Sequence, residues 1–225
     1  MWLVTRDRLR ARFEGQIHET IKQVALRQLA EGGPDALSIN AIARELDVSG
    51  PALYRYFAGR DELLTELVID AYHDLADALT AATSRISSHD PGASLAALAR
   101  AYRSWALAQP HRYRLLFGPP LPGYDAHAQR LIDAAQKAMN LLLDILAATG
   151  DRAAAAAPPP QPLASQLAAW AQLHHPGIDP ATALRAVLIW SRLHGLVSLE
   201  IAGNFASMGL DPSQLFETQL ATLTT

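Results

Sequence analysis

Hydroxyl, guanidinium and very small side chains are concentrated between residues 38 and 56 of the sequence. Phosphate oxygens accept hydrogen bonds from serine and tyrosine hydroxyls, from guanidinium groups and from the N–H groups at a helix N-terminus. Small residues at the same place let a backbone approach a duplex closely. The candidate residues among them are Ser38, Ser49, Gly50, Ala52, Tyr54, Arg55 and Tyr56. Their chemistry predicts a surface that binds a nucleic acid.

Two short helices are predicted to position these side chains. Ser38 is a candidate N-cap for the first helix and Ser49 for the second, with a proline tolerated in the first turn. Leu53 and Phe57 are spaced to anchor the back of the second helix. Two helices of about eight residues joined by a short turn form a helix-turn-helix, whose second helix fits a major groove. The same pattern also fits a small three-helix packing unit without a ligand.

The charge of the chain is unevenly distributed. The formal net charge is -3. Residues 1–60 carry nine Arg or Lys against seven Asp or Glu, whereas residues 61–225 carry ten against fifteen. Four of the basic residues form an N-terminal arm: Arg6, Arg8, Arg10 and Arg12. This distribution favours a nucleic-acid-binding head on an acidic body, although ordinary solvated surface charge would produce it as well.

Helical periodicity extends through almost the whole chain, and signals for strands are nearly absent. We therefore predict an all-α fold with about nine or ten helices. Residues 1–60 are predicted to form a three-helix head with the helix-turn-helix and the basic arm, and residues 61–225 a larger helical body for ligand binding and dimerisation. Within the body the sequence predicts helices over about 60–85 and 125–148, helix starts at Asp90, Asp179 and Asp211, and a linker over 153–162.

Several classes of function are disfavoured by what the sequence lacks. It contains no cysteine, which excludes disulfide scaffolds and thiol chemistry. It shows no export signal, no apolar run long enough for a membrane span and no catalytic motif. The pair His174-His175 is separated from Asp179 by Pro176-Gly177, which breaks the helix and disfavours a metal site. We expect a soluble cytoplasmic protein that is not an enzyme and holds no cofactor or metal.

Aromatic and polar residues in the body suggest a small-molecule site. An apolar cavity with a few polar groups is typical of such sites. The candidates, most of them aromatic, are Tyr102, Trp105, His111, Phe117, Tyr124, Met139, Asn140, Trp190 and His194. Aromatic residues and methionines at helical spacing are also ordinary core residues, so a filled core is the alternative interpretation.

The helix predicted over residues 181–203 is apolar nearly all round. Such a helix must be covered on more than one side, by its own body and by a second subunit. The preceding helix carries further apolar residues, so the two helices together predict a four-helix dimer interface. Its candidate residues are Leu167, Trp170, Leu173, Leu188, Arg192, Gly195, Leu196 and Leu199.

The run from Ser38 to Leu64 resembles the DNA-binding domain of TetR-family transcriptional regulators. The similarity covers about residues 14–65 and rests on Leu-Tyr-x-Tyr-Phe at 53–57, followed by a basic residue and Glu-Leu-Leu at 62–64. Asp47 stands where a glycine is common in the turn, and Asp tolerates left-handed backbone geometry better than most residues. Arg60 stands where a lysine is common, which keeps the charge but alters the hydrogen-bond geometry.

The resemblance implies a homodimer that binds a palindromic double-stranded DNA operator, with recognition helices about 34 Å apart. The residues that it assigns to phosphates are Ser38, Ser49, Tyr54, Tyr56 and Arg60. Those that it brings to the bases are Gly50, Pro51, Ala52 and Arg55. In the body, Trp190-x-x-x-His194-Gly195 resembles a TetR subgroup known by its Trp-His-Gly signature, which implies a ligand-sensing domain.

Together these observations predict a ligand-responsive transcriptional regulator. We expect a repressor that a small apolar or aromatic effector releases from its operator. One alternative is a constitutive or activating regulator without an inducer. A second alternative is an all-α dimeric interaction protein whose head no longer binds DNA.

Overall fold

The computed structural model describes residues 2–86, 90–118, 124–125, 128–149 and 159–224, with side chains described from residue 14 onward except at Pro34 and Thr224. Within these ranges the chain forms eleven α-helices, one 3₁₀ turn and no strand. The all-α prediction is therefore confirmed. The eleventh helix is the single-turn α10, which is too short to produce a periodic pattern. The side chains of the basic arm and most of the predicted 153–162 linker lie outside the described residues.

The head region contains three helices before the long α4. Here α1 spans Trp2–Gly32, α2 spans Ile39–Glu45, α3 spans Gly50–Leu53 and α4 spans Arg60–Thr83. The remaining helices are α5 (Pro91–Ala108), α6 (Pro110–Phe117), α7 (Gln129–Ala147), α8 (Gln161–His174), α9 (Pro180–Ile201), α10 (Asn204–Ser207) and α11 (Pro212–Thr224). The helix that was predicted to start at Asp125 begins four residues later.

Contacts between residues divide the chain into two compact units. The first combines Met1–Ala71 with His111–Leu131, and the second combines Tyr72–Pro110 with Ile132–Thr225. The first unit is therefore discontinuous in sequence. The predicted domain boundary at residue 60 coincides with the start of α4 and stays a prediction.

The core of the first unit is formed by the apolar stripe of α1 and by the inner faces of α2, α3 and α4. Ile21, Val24, Ala25 and Leu29 recur every three or four residues on α1, and all four are buried. Leu53 and Phe57 are each 2% exposed, which confirms that they anchor the back of the second short helix. Because these side chains come from four helices, the core fixes the orientation of α3 against α2.

The turn between α2 and α3 depends on one left-handed residue. Asp47 has φ 54, the one positive φ outside glycine among the described residues. Its N–H donates to Arg44 O at 3.3 Å, and the N–H of Val48 donates to Ala43 O at 3.0 Å. These two bonds form a Schellman motif, which satisfies the last carbonyls of α2. The turn therefore survives with Asp in place of glycine, as the sequence predicted.

We expect Asp47→Gly to stabilise the protein and Asp47→Val to destabilise it. A left-handed residue with a β-carbon costs about 1–2 kcal/mol, and glycine avoids most of this cost. The gain for Asp47→Gly is roughly 0.5–1 kcal/mol, because glycine also has more freedom in the unfolded chain. Chemical denaturation of the three proteins measures the order. Equal unfolding free energies would contradict the left-handed turn.

Three helices begin at Asp-Pro pairs, as predicted. Asp90 accepts from Ala93 N at 2.8 Å, and Asp211 accepts from Ser213 N at 2.8 Å. Asp179 accepts from the backbone of Ala181 and Thr182 and from the Thr182 hydroxyl at 2.6 Å. The Thr182 hydroxyl and then the backbone donors hold the pKa of Asp179 below its usual value, against the opposing effect of burial.

Replacing Asp179 by Ala is expected to lower the unfolding free energy by about 1 kcal/mol at neutral pH, because the N-cap of α9 is lost. The pKa of Asp179 is lower in the folded state than in the unfolded chain. Its stabilisation is therefore present above the unfolded pKa and is lost as the pH falls through the folded one. Denaturation curves of wild type and variant should therefore converge once the pH has fallen below the folded-state pKa of Asp179. A difference independent of pH would contradict the charged cap.

The helices α5, α9 and α11 pack together in the second unit, and α8 packs on α9. Arg103 of α5 donates to both carboxylate oxygens of Glu200 on α9, at 2.8 and 2.6 Å, and its guanidinium lies over the Phe216 ring of α11. Arg100 makes an equivalent bidentate contact with Glu217. Each guanidinium therefore links its helix to the neighbouring one through two parallel hydrogen bonds.

Candidate functional site

The segment predicted to enter DNA begins as a helix and ends as a series of tight turns. Only Gly50–Leu53 is α-helical, so the expected helix of about eight residues is too long. Arg55 N donates to Ala52 O at 3.4 Å and Tyr56 N to Leu53 O at 2.9 Å, which are i→i+3 bonds. Such bonds tighten the end of a helix and carry the chain from α3 to the buried Phe57.

The two faces of this segment differ sharply. Leu53 and Phe57 face the core, whereas Tyr54 is 51% exposed and Arg55 is also exposed. Ser49 and Pro51 are exposed at the N-terminal end, and Gly50, Ala52 and Tyr56 are half-buried. The predicted DNA-contacting residues of α3 and its extension are therefore brought together on one short segment, which Leu53 and Phe57 anchor to the core.

The two candidate N-cap serines behave differently. The Ser38 hydroxyl accepts from Ala41 N at 3.3 Å and so caps α2. Ser49 occupies the N-cap position of α3, but its side chain makes no capping bond. An exposed hydroxyl without an internal bond keeps both its donor and its acceptor capacity for another molecule.

Arg60 is placed at the start of α4, where it is half-buried. Its Nε donates to Leu37 O at 3.3 Å, and Nη1 lies 3.6 Å from Asp61 Oδ1. The side chain therefore links the start of α4 to the segment before α2. The contact with phosphate implied by the resemblance stays a prediction for this residue.

Sequence reasoning missed His18 as a neighbour of this segment. The His18 ring lies edge-on to Tyr56 at 5.2 Å and to Phe57 at 4.9 Å, measured between ring centroids. His18 lies three residues before the buried Ile21 on α1, and this helical spacing could have indicated that its side chain faces the core. Because His18 packs against both rings, it restricts the position of the Tyr56 side chain.

Six of the nine candidate effector-binding residues lie in the second unit. Tyr102 is 5% exposed, and its hydroxyl lies 3.4 Å from His194 Nδ1. Burial lowers the pKa of His194, so that the imidazole is uncharged at neutral pH. Trp190 stacks on His194 at 5.6 Å and is 38% exposed.

The other candidates in the second unit are tied to their neighbours. Trp105 is 6% exposed and donates its indole N–H to Asp74 Oδ2 at 2.8 Å. Asn140 accepts from Gln136 Nε2 at 2.8 Å, and Met139 is half-buried. The hydrogen bond to Asp74 satisfies the one polar atom of the buried Trp105, which favours its interpretation as a core residue.

The remaining three candidates belong to the first unit. His111 is exposed at the start of α6, and Phe117 lies 5.2 Å from the Tyr113 ring. Tyr124 packs against the core of the head, and its hydroxyl lies 3.1 Å from Thr65 Oγ1. Burial raises the pKa of Tyr124. The nine residues are therefore divided between two compact units.

The candidate dimer residues lie on α8 and α9, which pack against each other. Leu188 is 46% exposed, Leu199 is 44% exposed and Leu173 is 76% exposed. Leu196 and Gly195 are half-buried, Arg192 is exposed, Trp170 is half-buried and Leu167 is buried. Because the spacing of 188, 192, 195, 196 and 199 is helical, these residues form one stripe on α9.

A shallow groove lies beside this stripe. Its volume is about 480 Å³, and its lining residues are Arg192, Leu196, Gln219 and Thr222. Two of these residues belong to the stripe on α9, and two lie on α11. The surface of α9 therefore offers both exposed apolar side chains and a concavity beside them.

No helix in the described ranges is long and apolar enough to cross a membrane. His175, from the pair considered as a metal ligand, places Nε2 2.8 Å from Asp144 Oδ1. Within the described part of the chain, no three His, Asp or Glu side chains lie together in a way that would hold a metal ion.

Comparisons with known proteins find a matching family for the N-terminal part of the chain and for its C-terminal part. Residues 21–67 match the family of bacterial regulatory proteins, tetR family, and residues 95–223 match the tetracyclin repressor-like C-terminal domain. The HTH-type transcriptional regulator Rv1816 of Mycobacterium tuberculosis is 38% identical over 209 residues, which cover 91% of this chain and 89% of that protein.

Solved structures show the same fold. The crystal structure of the regulatory protein SCO4313 is 43% identical, has a TM-score of 0.75 and is matched over 95% of this chain and 97% of its own. The regulator FadR of Bacillus subtilis, solved with stearoyl-CoA, is 15% identical with a TM-score of 0.65, over 92% and 97% of the two chains. At that identity the likeness concerns the fold alone. The match of both domains and the similarity to Rv1816 over nearly the full length show that the chain belongs to the TetR family of DNA-binding transcriptional regulators.

Proposed function

We propose that this regulator is a homodimeric repressor that binds a palindromic operator and leaves it when a small apolar or aromatic effector binds. The observation that carries the proposal is the segment from Ser49 to Phe57, which has one buried side and one exposed side. Its core-facing residues are 2% exposed, while Tyr54 and Arg55 face outward. A short segment held from behind in this way presents its outer side chains to a major groove without a large loss of entropy on binding.

The outward side chains divide into two roles. Ser38, Ser49, Tyr54, Tyr56 and Arg60 would bind phosphates and set the register of the head on the duplex. Gly50, Pro51, Ala52 and Arg55 would lie against the bases, where a guanidinium pairs with guanine O6 and N7.

The proposed homodimer rests on the stripe of α9. Exposed leucines at 188 and 199, eleven residues apart, would be covered by the same stripe of a second copy. A two-fold axis there would make the interface self-complementary and would place two identical heads on a palindrome, about 34 Å apart.

The proposed effector site lies in the second unit, around Tyr102 and His194. An uncharged imidazole and a tyrosine hydroxyl are polar groups of the kind that orient an apolar ligand. The signature at Trp190, His194 and Gly195 supports membership of the Trp-His-Gly subgroup, whose body senses ligands. We propose the cytoplasm as the site of action, where the operator DNA is found.

A constitutive regulator is the second candidate. The observation in its favour is Trp105, which is 6% exposed with its indole N–H bonded to Asp74. A core that is filled in this way would leave no room for an effector.

The proposed function is tested by titrating the purified protein, at several salt concentrations, against DNA from upstream of its own gene and against random DNA of equal length. A preference of about 10³ or more, with two protomers per site, is expected. Aromatic acids and acyl thioesters are then added to the complex, and release from the operator is expected from one class. If the protein binds all DNA equally weakly, and a selection from genomic fragments finds no preferred sequence, the proposal that it recognises an operator is overturned. If it binds the operator and no effector changes that binding, the constitutive regulator is favoured.

The double variant Tyr54→Phe, Tyr56→Phe is expected to bind both operator and random DNA roughly 30-fold more weakly. Four hydroxyl groups in a dimer, each contributing about 0.5 kcal/mol through a phosphate hydrogen bond, give this factor. Both rings are kept, so the packing of Tyr56 on His18 is preserved. The dependence on salt is expected to stay unchanged, because no charge is removed. Tyr113→Phe, on α6, is the control. If the double variant binds DNA as tightly as wild type, neither hydroxyl contacts the phosphates.

A further inference from the structure

Asn40 lies beside the first turn of α3. It is the second residue of α2, and its side chain is exposed. A β-carbon placed on Gly50 would lie 3.5 Å from Asn40 Oδ1. The carboxamide of Asn40 therefore adjoins the N-terminal end of the segment that the proposed function inserts into the major groove.

The carboxamide has no structural role that the described contacts reveal. Its backbone oxygen accepts from Arg44 Nε at 3.3 Å, but its side chain makes no hydrogen bond with any described residue. The cap of α2 is supplied by Ser38 instead. The exposed carboxamide therefore keeps its donor and acceptor capacity for another molecule.

The position and the chemistry together indicate a role in reading bases. Residues at the N-terminal end of a recognition helix contact base edges. A carboxamide has one donor and one acceptor side by side, and adenine offers the complementary pair, N7 and the N6 amino group, in the major groove. Guanine offers two acceptors there and does not match.

On the basis of the proposed operator binding, we infer that Asn40 reads one adenine in each half of the operator. Its Nδ2–H donates to N7 of the adenine, and its Oδ1 accepts from the N6 amino group. Asn40 is then a specificity-determining residue that acts from α2, beside the base-contacting residues of α3. Glycine at position 50 leaves that carboxamide free of a neighbouring side chain.

The test is a selection of bound duplexes from a random library with wild type, Asn40→Ala and Asn204→Ala. The wild-type consensus is expected to contain one adenine per half-site whose preference disappears in Asn40→Ala and persists in Asn204→Ala. Asn204 is an exposed asparagine on α10 and serves as the matched control. Alanine is a better helix former than asparagine, so thermal melting of Asn40→Ala is expected at or above the wild-type temperature.

A modified base supplies the second readout. Replacing that adenine by 7-deazaadenine removes the N7 acceptor and keeps the base pair. Wild type is expected to lose about 5- to 150-fold in affinity when the adenine is exchanged for guanine, and less for the deaza base, while Asn40→Ala loses under about twofold in either case. A wild-type consensus that Asn40→Ala leaves unchanged would overturn this inference alone. Failure of wild type to select any sequence would overturn the proposed function with it.

Discussion

The double variant Leu188→Glu, Leu199→Glu is expected to be monomeric and to bind the operator 10²- to 10⁴-fold more weakly than wild type. In a symmetric interface each substituted position meets the same surface of the partner, so four carboxylates would be brought into an apolar contact. A monomer reaches only one half-site at a time and loses the gain in effective concentration that a linked second head provides.

The fold of the single chain should tolerate this change. Leu188 and Leu199 are 46% and 44% exposed, so neither side chain belongs to the buried core of the chain. Leu107→Glu is the control, because Leu107 is a leucine of similar exposure, 39%, that belongs to α5 and not to the stripe of α9. Sedimentation at micromolar concentration gives the oligomeric state, and the helical circular dichroism signal reports folding. If the double variant stays dimeric, the stripe of α9 is not part of the dimer interface.

Replacing Phe57 by Ala is expected to lower the unfolding free energy by about 3–5 kcal/mol. Phe57 is 2% exposed and lies among buried residues of α1, α2, α3 and α4, with the His18 ring 4.9 Å away. A total stability of about 5–15 kcal/mol makes this a large loss. Because the same side chain holds the outward-facing segment in place, DNA binding should fail before the body unfolds.

The variant Phe57→Leu shows whether the buried volume at this position or the aromatic ring itself is needed. It keeps most of the buried volume and is expected to cost about 1.5 kcal/mol or less. Denaturation followed by circular dichroism, with DNA binding measured on the same samples, gives both quantities. A loss below about 1 kcal/mol for Phe57→Ala would show that the segment is not held by this residue.

Features that depend on neighbours in sequence could be predicted. The caps at Asp90, Asp179 and Asp211 follow from a carboxylate before a proline, and the left-handed turn at Asp47 follows from its place at the end of α2. The four-residue spacing of Leu53 and Phe57 predicted that both would be buried, and both are, although Phe57 lies beyond the end of α3. Each of these is decided within one or two turns of helix.

Features that depend on distant packing could not be predicted. Thr65 meets Tyr124 across 59 positions of sequence, and no local pattern indicates this pairing. On α9 the apolar pattern covers all sides, so it could not decide which face is buried. The sequence placed Trp190 among the candidate effector-binding residues, and the structure buries Ile189, Leu193 and Val197 of α9 while it leaves Trp190 38% exposed.

The discontinuity of the first unit has a consequence for synthesis of the chain. The core around α1 to α4 is completed by Leu115 and Tyr124, which lie in the returning segment His111–Leu131. A ribosome that adds about 5–20 residues per second needs about 3–12 s to proceed from residue 71 to residue 131. During that interval the nascent head has its helix-turn-helix but lacks part of its apolar covering. It reaches its final packing only after α5, which belongs to the second unit, has already been translated.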